Sequence, residues 1–268
     1  RYRVLMKLMV EGWRETFESP ELPVGVIGFC AGDTRQHEDN FEVKGAANGP
    51  FIREAQRLGL GDVENQKHLA FLPAHDVQYP GLHPGLKQEH GGRAARWALT
   101  DVYGLRLPDH RMNHPKASLQ SAEPSGDEMI LTFSAGVMPV HLGSIPRGFS
   151  IAGQDGRFYR AHARYRAKPK QYRLDNAKRY QSKVIHVWSP LVEKPVAVRY
   201  AWATSPEGNL MVGGHPDVPF YSFRTDTWDA KAGRERGEPE ERLQYRKTEE
   251  AERAMEILER LDRLGRTQ

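Results

Sequence analysis

Along the first hundred residues, apolar positions alternate between two periods. Val4, Leu5, Leu8, Met9 and Trp13 recur at helical spacing and predict an amphipathic helix whose apolar stripe is buried. Pro20 and Pro23 end that helix, and residues 24–29 (VGVIGF) follow as a short continuous apolar run. Such a run suits a strand buried on both faces of a parallel sheet. A polar loop over 31–50 leads to a helix over 51–58, which Gly59 and Gly61 stop. Residues 68–72 (HLAFL) predict a second buried strand, and a third helix is expected from about 85 to 102. Gly91 and Gly92 inside it each cost about 1 kcal/mol against alanine, so close packing on the sheet or a break is expected there. The order helix, strand, helix, strand, helix predicts a right-handed parallel sheet with helices on both faces.

From Leu105 the pattern changes. Short runs at 129–133, 148–152, 158–165, 183–188 and 196–202, separated by Gly and Pro, predict an antiparallel sandwich or jelly roll. Residues 234–266 are dense in charge, with Ala254, Ile257, Leu258, Leu261 and Leu264 at helical spacing, so an appended amphipathic helix is expected. The predicted organisation is an α/β unit over 1–104, a β unit over 105–228 and a charged helical tail over 229–268.

Composition narrows the picture in three respects. With 38% hydrophobic residues and no uninterrupted apolar run of membrane-spanning length, a globular chain without membrane insertion is expected. One cysteine, Cys30, excludes an internal disulfide framework. Charge is uneven: 12 Lys+Arg against 14 Asp+Glu over 1–104 (net −2), 17 against 10 over 105–228 (net +7), and 10 against 11 over 229–268 (net −1). A basic middle can serve acidic ligands or nucleic acid, but the run 157–166 (RFYRAHARYR) has the period of an amphipathic strand, and an Arg-rich outer sheet face is the simpler reading. No nucleic-acid partner is expected.

The chemistry concentrates in 76–87 (DVQYPGLHPGLK), a loop after the second strand. Ligands of open α/β sheets bind beyond the carboxyl ends of the strands, and this loop carries Asp76 and His83 there. A hydroxyl nucleophile needs a base within hydrogen-bond reach, and a histidine base needs a carboxylate on its other nitrogen. Other candidates are weaker. His110 and His114 have a helical ligand spacing, but flanking Pro108 and Pro115 and the lack of a third ligand argue against zinc; no metal is expected. His37 on the polar loop, and Arg53 with Gln56 one helical turn apart, are candidates for lining a substrate pocket.

Taken in order, Trp13-Arg14, the block 52–56 (IREAQ), 82–84 (LHP) with Lys87, Gly92-Arg93, 97–99 (WAL), Tyr103-Gly104, Gly148-Phe149, 198–202 (VRYAW), Asn209-Leu210, Pro219-Phe220 and 223–226 (FRTD) resemble the sialate O-acetylesterase family across roughly 1–228. The resemblance implies a flavodoxin-like core of SGNH-hydrolase type joined to β-sandwich material. It also implies removal of acetyl groups from carbohydrate hydroxyls through an acyl-serine, without metal or organic cofactor, with His83 as general base. The family's Gly-Gln-Ser and Gln-Gly-Glu segments do not occur here. The chain is therefore expected to be the C-terminal part of such an enzyme, inactive alone, whose partners are an O-acetylated sugar and a missing N-terminal segment. Members often carry Asp two or three residues before the histidine; here those positions are Gly81 and Pro80, which leaves Asp76 as the candidate acid. By family analogy the location is extracytoplasmic. The alternative from another class is a non-catalytic carbohydrate-binding or scaffolding protein derived from that family.

Overall fold

The computed structural model describes residues 2–30, 34–45, 48–77, 87–106, 113–139, 145–165, 170–174, 177–213, 215 and 217–228. Two units follow one another. The first holds α1 (Tyr2–Thr16), β1 (Val24–Ile27), a 3-10 turn (Glu38–Asn40), α2 (Phe41–Gly45), α3 (Gly49–Gly61), β2 (Leu69–Leu72) and α4 (Lys87–Trp97). β1 and β2 pair in parallel, Val24 opposite Leu69 and Ile27 opposite Leu72. Alternation sorts their side chains. Val24, Val26, Leu69 and Phe71 face α1 and α3, while Ala70 and Leu72 pack with Trp97 of α4 on the other face. The predicted parallel sheet with helices on both faces is thus present.

Several expectations change in detail. The stripe read as the buried face of α1 is largely exposed. Met6, Val10 and Arg14 are buried instead, and Val4, Leu5, Leu8 and Trp13 are exposed. Arg14 takes an inward position because its guanidinium donates to the carbonyls of Asn65 (2.6 Å) and Lys67 (2.7 Å), tying the helix to the approach to β2. β1 is not buried on both faces, since Gly25 and Ile27 are exposed. Gly59 does not stop α3, which continues to Gly61; it lies at a helix crossing, where a Cβ would come within 2.5 Å of the Arg3 carbonyl and 2.7 Å of Met6. Gly91 and Gly92 neither break α4 nor pack closely, and a Cβ at either would meet open space. The third helix stays helical to Val102 as expected, but its last stretch, Ala98–Val102, is π-helical.

The second unit holds β3 (Leu119–Ser125), β4 (Glu128–Pro139), β5 (Phe149–Ala152), β6 (Phe158–Tyr165), β7 (Lys170–Leu174), β8 (Ala177–Trp188), β9 (Ala197–Tyr200), β10 (Leu210–Val212) and β11 (Phe223–Arg224). The expected strands are there, but they do not separate into the two layers of a sandwich. They form one curled antiparallel sheet, a half-barrel, in the order β10-β4-β8-β6-β5-β9-β11, with β3 on β4 and β7 on β8. Curling lets one sheet enclose its own core: Leu131, Phe133, Phe149, Ile151, Ile185, Val198, Tyr200 and Phe220 are buried together. Phe133 and Phe220 meet edge to face at 5.1 Å, the geometry the ring quadrupoles favour.

Four arginines of the basic middle are paired with carboxylates of the fold, three of them largely buried. Arg164 pairs with Glu128 (2.5 Å), Arg160 with Glu38 (3.0 Å) and Arg199 with Asp226 (2.8 Å). Arg224 joins Glu54 of α3 (2.9 Å), and Arg199 also lies 3.9 Å over the Phe158 ring. Among the described residues no helix is long and apolar enough to cross a membrane. The tail over 229–268 lies outside the described residues.

Candidate functional site

The carboxyl ends of β1 and β2 emerge side by side, because the Gly28 amide donates to Leu72 O (2.8 Å) one residue past β1. Beyond them the chain places Phe29 and Cys30 from β1 beside Pro73 to Val77 from β2. The first of these is held from α3: the Phe29 amide donates to Gln56 Oε1 at 2.9 Å. The second is held from α4. Arg93 donates through Nη1 to Pro73 O (2.8 Å) and Asp76 Oδ1 (2.8 Å), and through Nη2 to Asp76 Oδ2 (2.6 Å). Its Nε reaches Asp217 O (2.9 Å) in the β unit. One buried guanidinium therefore fixes the plane of the Asp76 carboxylate and anchors its loop to the half-barrel.

Arg53 and Gln56, expected from their spacing to share a helix face and to line a substrate pocket, are both buried, but they serve different ends. Gln56 positions the exit of β1. Arg53 is 1% exposed and donates to Ala203 O (2.6 Å), Ala201 O (3.1 Å), Thr204 O (3.2 Å) and Ser222 Oγ (3.0 Å), so it bolts α3 to the half-barrel. Burial lowers its pKa to about 9, which leaves it charged at neutral pH. His37 is elsewhere in character: its side chain is 55% exposed, 3.5 Å from Asp39, at the start of the 3-10 turn. His83 lies outside the described residues.

Three further groups share this neighbourhood: Cys30, His75 and His90. Cys30 Sγ lies 3.9 Å from His90 Nε2 on α4. Burial pushes the Cys30 thiol up, while burial and then the Arg93 charge push the His90 imidazole down. Both stay neutral, the opposite of the thiolate–imidazolium pair an active cysteine needs. His75 is fully buried, and burial followed by the Arg53 charge lowers it to about 3 against the pull of Asp76. His75 was visible in the sequence as the neighbour of Asp76, and His90 with Arg93 as an i, i+3 pair on one helix face. What each faces is set by residues far away in the chain.

The depressed His75 has a consequence for stability. Its unfolded form takes up a proton near pH 6.5 and its folded form only near 3, so stability falls as pH drops through that window. The slope from one such group approaches about 1.4 kcal/mol per pH unit. Urea unfolding of His75→Gln at pH 7, 6, 5 and 4 is expected to show a shallower acid-side loss than the parent. Parallel pH profiles would exclude His75 as the source.

A cavity of about 620 Å³ opens at the other end of β2, lined by Lys67, His68, Trp97, Thr100, Asp101 and His114 among others. It lies at the amino end of the strand, away from Asp76.

No protein-family model and no curated protein sequence matches this chain. Among solved structures it is similar to a carbohydrate acetylesterase from Xanthomonas citri, with a TM-score of 0.66 and 25% sequence identity. The match covers 85% of this chain and 46% of that one, so the chain spans about half the length of the protein it resembles.

Proposed function

We propose that this chain is the base-bearing part of a carbohydrate O-acetylesterase of sialate O-acetylesterase type, built on an SGNH-hydrolase core. The observation that carries the reading is the likeness to a carbohydrate acetylesterase over most of the chain. The acid-bearing loop at the carboxyl end of β2 is where such chemistry belongs in an α/β sheet. The substrate class is a sugar carrying an acetyl ester on a hydroxyl.

In this reading the nucleophile is a serine outside the 268 residues. Its Oγ attacks the acetyl carbonyl as His83 takes the proton, and the tetrahedral oxyanion is held by hydrogen-bond donors. His83 then protonates the departing sugar oxygen, leaving an acetyl-serine. A water, deprotonated by His83, attacks that ester, and collapse of the second intermediate releases acetate and returns the proton to serine. Asp76 is the acid that orients His83. Both its oxygens already accept from Arg93, yet each keeps a lone pair for an imidazole N–H. The guanidinium partly neutralises the carboxylate, so Asp76 contributes orientation more than charge.

The test is acetate release from O-acetylated sugars by the polypeptide of the complete gene, with p-nitrophenyl acetate to detect a burst of acyl-enzyme. Turnover with a burst is expected. Sugar binding without any acetate release would overturn the esterase reading in favour of a binding protein.

A further inference from the structure

The cavity at the amino end of β2 belongs to a part of the chain that the acetyl-ester chemistry leaves unused. Its wall joins the turn before β2, the π-helical stretch that follows α4 and the connection into β3. At about 620 Å³ it has the size of an ordinary small-molecule site.

Two departures from regular structure border it. His68 has a φ of 56°, a left-handed conformation that residues other than glycine adopt rarely. Ala98–Val102 winds as a π-helix, a rare form often found at functional sites. The two meet: His68 Nδ1 lies 3.1 Å from the Asp101 carbonyl oxygen. A carbonyl only accepts, so Nδ1 carries the proton, and in the neutral ring Nε2 is left as an acceptor.

The polar groups of the wall divide into acceptors within and cations at the mouth. The Asp101 carboxylate, 19% exposed, joins His68 Nε2 as an acceptor for hydroxyls. Trp97, which is 6% exposed, adds an indole N–H with no hydrogen-bond partner among the described residues. Lys116 is 79% exposed and reaches Asp101 at 3.0 Å. Lys67 shares its charge with Glu21 (2.6 Å), while Arg106 is exposed and has no ion-pair partner among the described residues. The described wall thus carries three cations to one carboxylate. His114 reports the same excess. Its imidazole is held below the ordinary range by burial first, against the pull of Asp101, with Lys116 and Arg96 adding to the depression.

An inorganic anion would suit the cations but meet the Asp101 carboxylate. A neutral sugar would suit the acceptors but leave the cations unused. A polyhydroxylated anion uses both. We propose that this cavity binds an anionic saccharide, whose carboxylate or phosphate group lies at the mouth against Arg106 and Lys116 and whose hydroxyls donate to Asp101 and to His68 Nε2. The site is at the opposite end of β2 from Asp76, and binding there is independent of ester hydrolysis.

Isothermal titration calorimetry of the 268-residue chain with glucuronate, glucose 6-phosphate, glucose and inorganic phosphate is the test. At least one of the two anionic sugars is expected to bind about tenfold or more tightly than both glucose and inorganic phosphate. Which of them does so separates a carboxylate ligand from a phosphate one. Arg106→Gln and Lys116→Gln are each expected to weaken that binding about tenfold, the loss of a charge-assisted hydrogen bond. Both side chains are exposed, so the melting temperature should not move. Failure of both anionic sugars to bind overturns the proposal, as does equal affinity for glucose or for inorganic phosphate. Binding that survives both substitutions unchanged places the ligand elsewhere and overturns it as well.

Discussion

His83→Ala is expected to lower kcat for acetyl-ester hydrolysis by about four orders of magnitude, with little change in KM. A serine hydroxyl is almost entirely protonated at neutral pH, so without a base the attack and the departure of the sugar both lose their proton relay. Four powers of ten correspond to about 5.5 kcal/mol of transition-state stabilisation. The contrast with Asp76 is part of the expectation. Arg93 holds Asp76 from both oxygens, so Asp76→Asn disturbs a structural clamp as well as the proposed orientation of His83. Its effect on kcat should be smaller and accompanied by a lower melting temperature. Single-turnover measurements on the complete polypeptide decide the matter, and a His83→Ala enzyme within tenfold of the parent would remove His83 as the base.

Arg53→Met is expected to destabilise the fold by about 3 kcal/mol or more. Methionine fills much of the volume but leaves the carbonyls of Ala201, Ala203 and Thr204 and the Ser222 hydroxyl without the donor that now satisfies them. Each buried acceptor left unpaired costs about 1–3 kcal/mol, and the costs overlap because the groups are neighbours. Arg53→Lys keeps the charge but not the planar fork and should fall between the two. The expectation from sequence was that Arg53 lines the substrate pocket. Its burial against the half-barrel predicts instead that Arg53→Lys lowers the melting temperature while KM stays near the parent value. A raised KM at unchanged stability would restore the substrate-binding role. Differential scanning calorimetry paired with steady-state kinetics separates the two.

How these residues came to be legible differs from case to case. β1 and β2 were readable because their side chains follow short apolar runs bounded by Pro, Gly and polar residues, a local signal. The strands of the β unit were readable for the same reason, but their curling into one half-barrel was not, since strand order depends on pairings such as β6 with β8 and β5 with β9. The inward pair Arg53 and Gln56 was visible as an i, i+3 spacing. That one grips carbonyls about 150 residues away while the other holds the Phe29 amide was not. His75 and His90 were not singled out, and Cys30 only as a lone cysteine, because nothing in their local sequence distinguishes a neutral buried group from a solvated one.

The apolar stripe on α1 marks the boundary most clearly. By itself, the sequence determined that Val4, Leu5 and Leu8 form one helical flank suited to burial, because side-chain direction follows from helical period alone. It likewise determined the helix–strand order and the placing of Asp76 just after a strand. Only the tertiary structure decided that α1 buries Met6, Val10 and Arg14 and leaves that flank bare, that Asp76 is clamped by Arg93, and that Arg53 is a bolt between units. Those outcomes depend on which distant carbonyls, carboxylates and side chains the packed chain brings within about 3 Å, and hydrogen-bond partners at that range carry no signature in local periodicity.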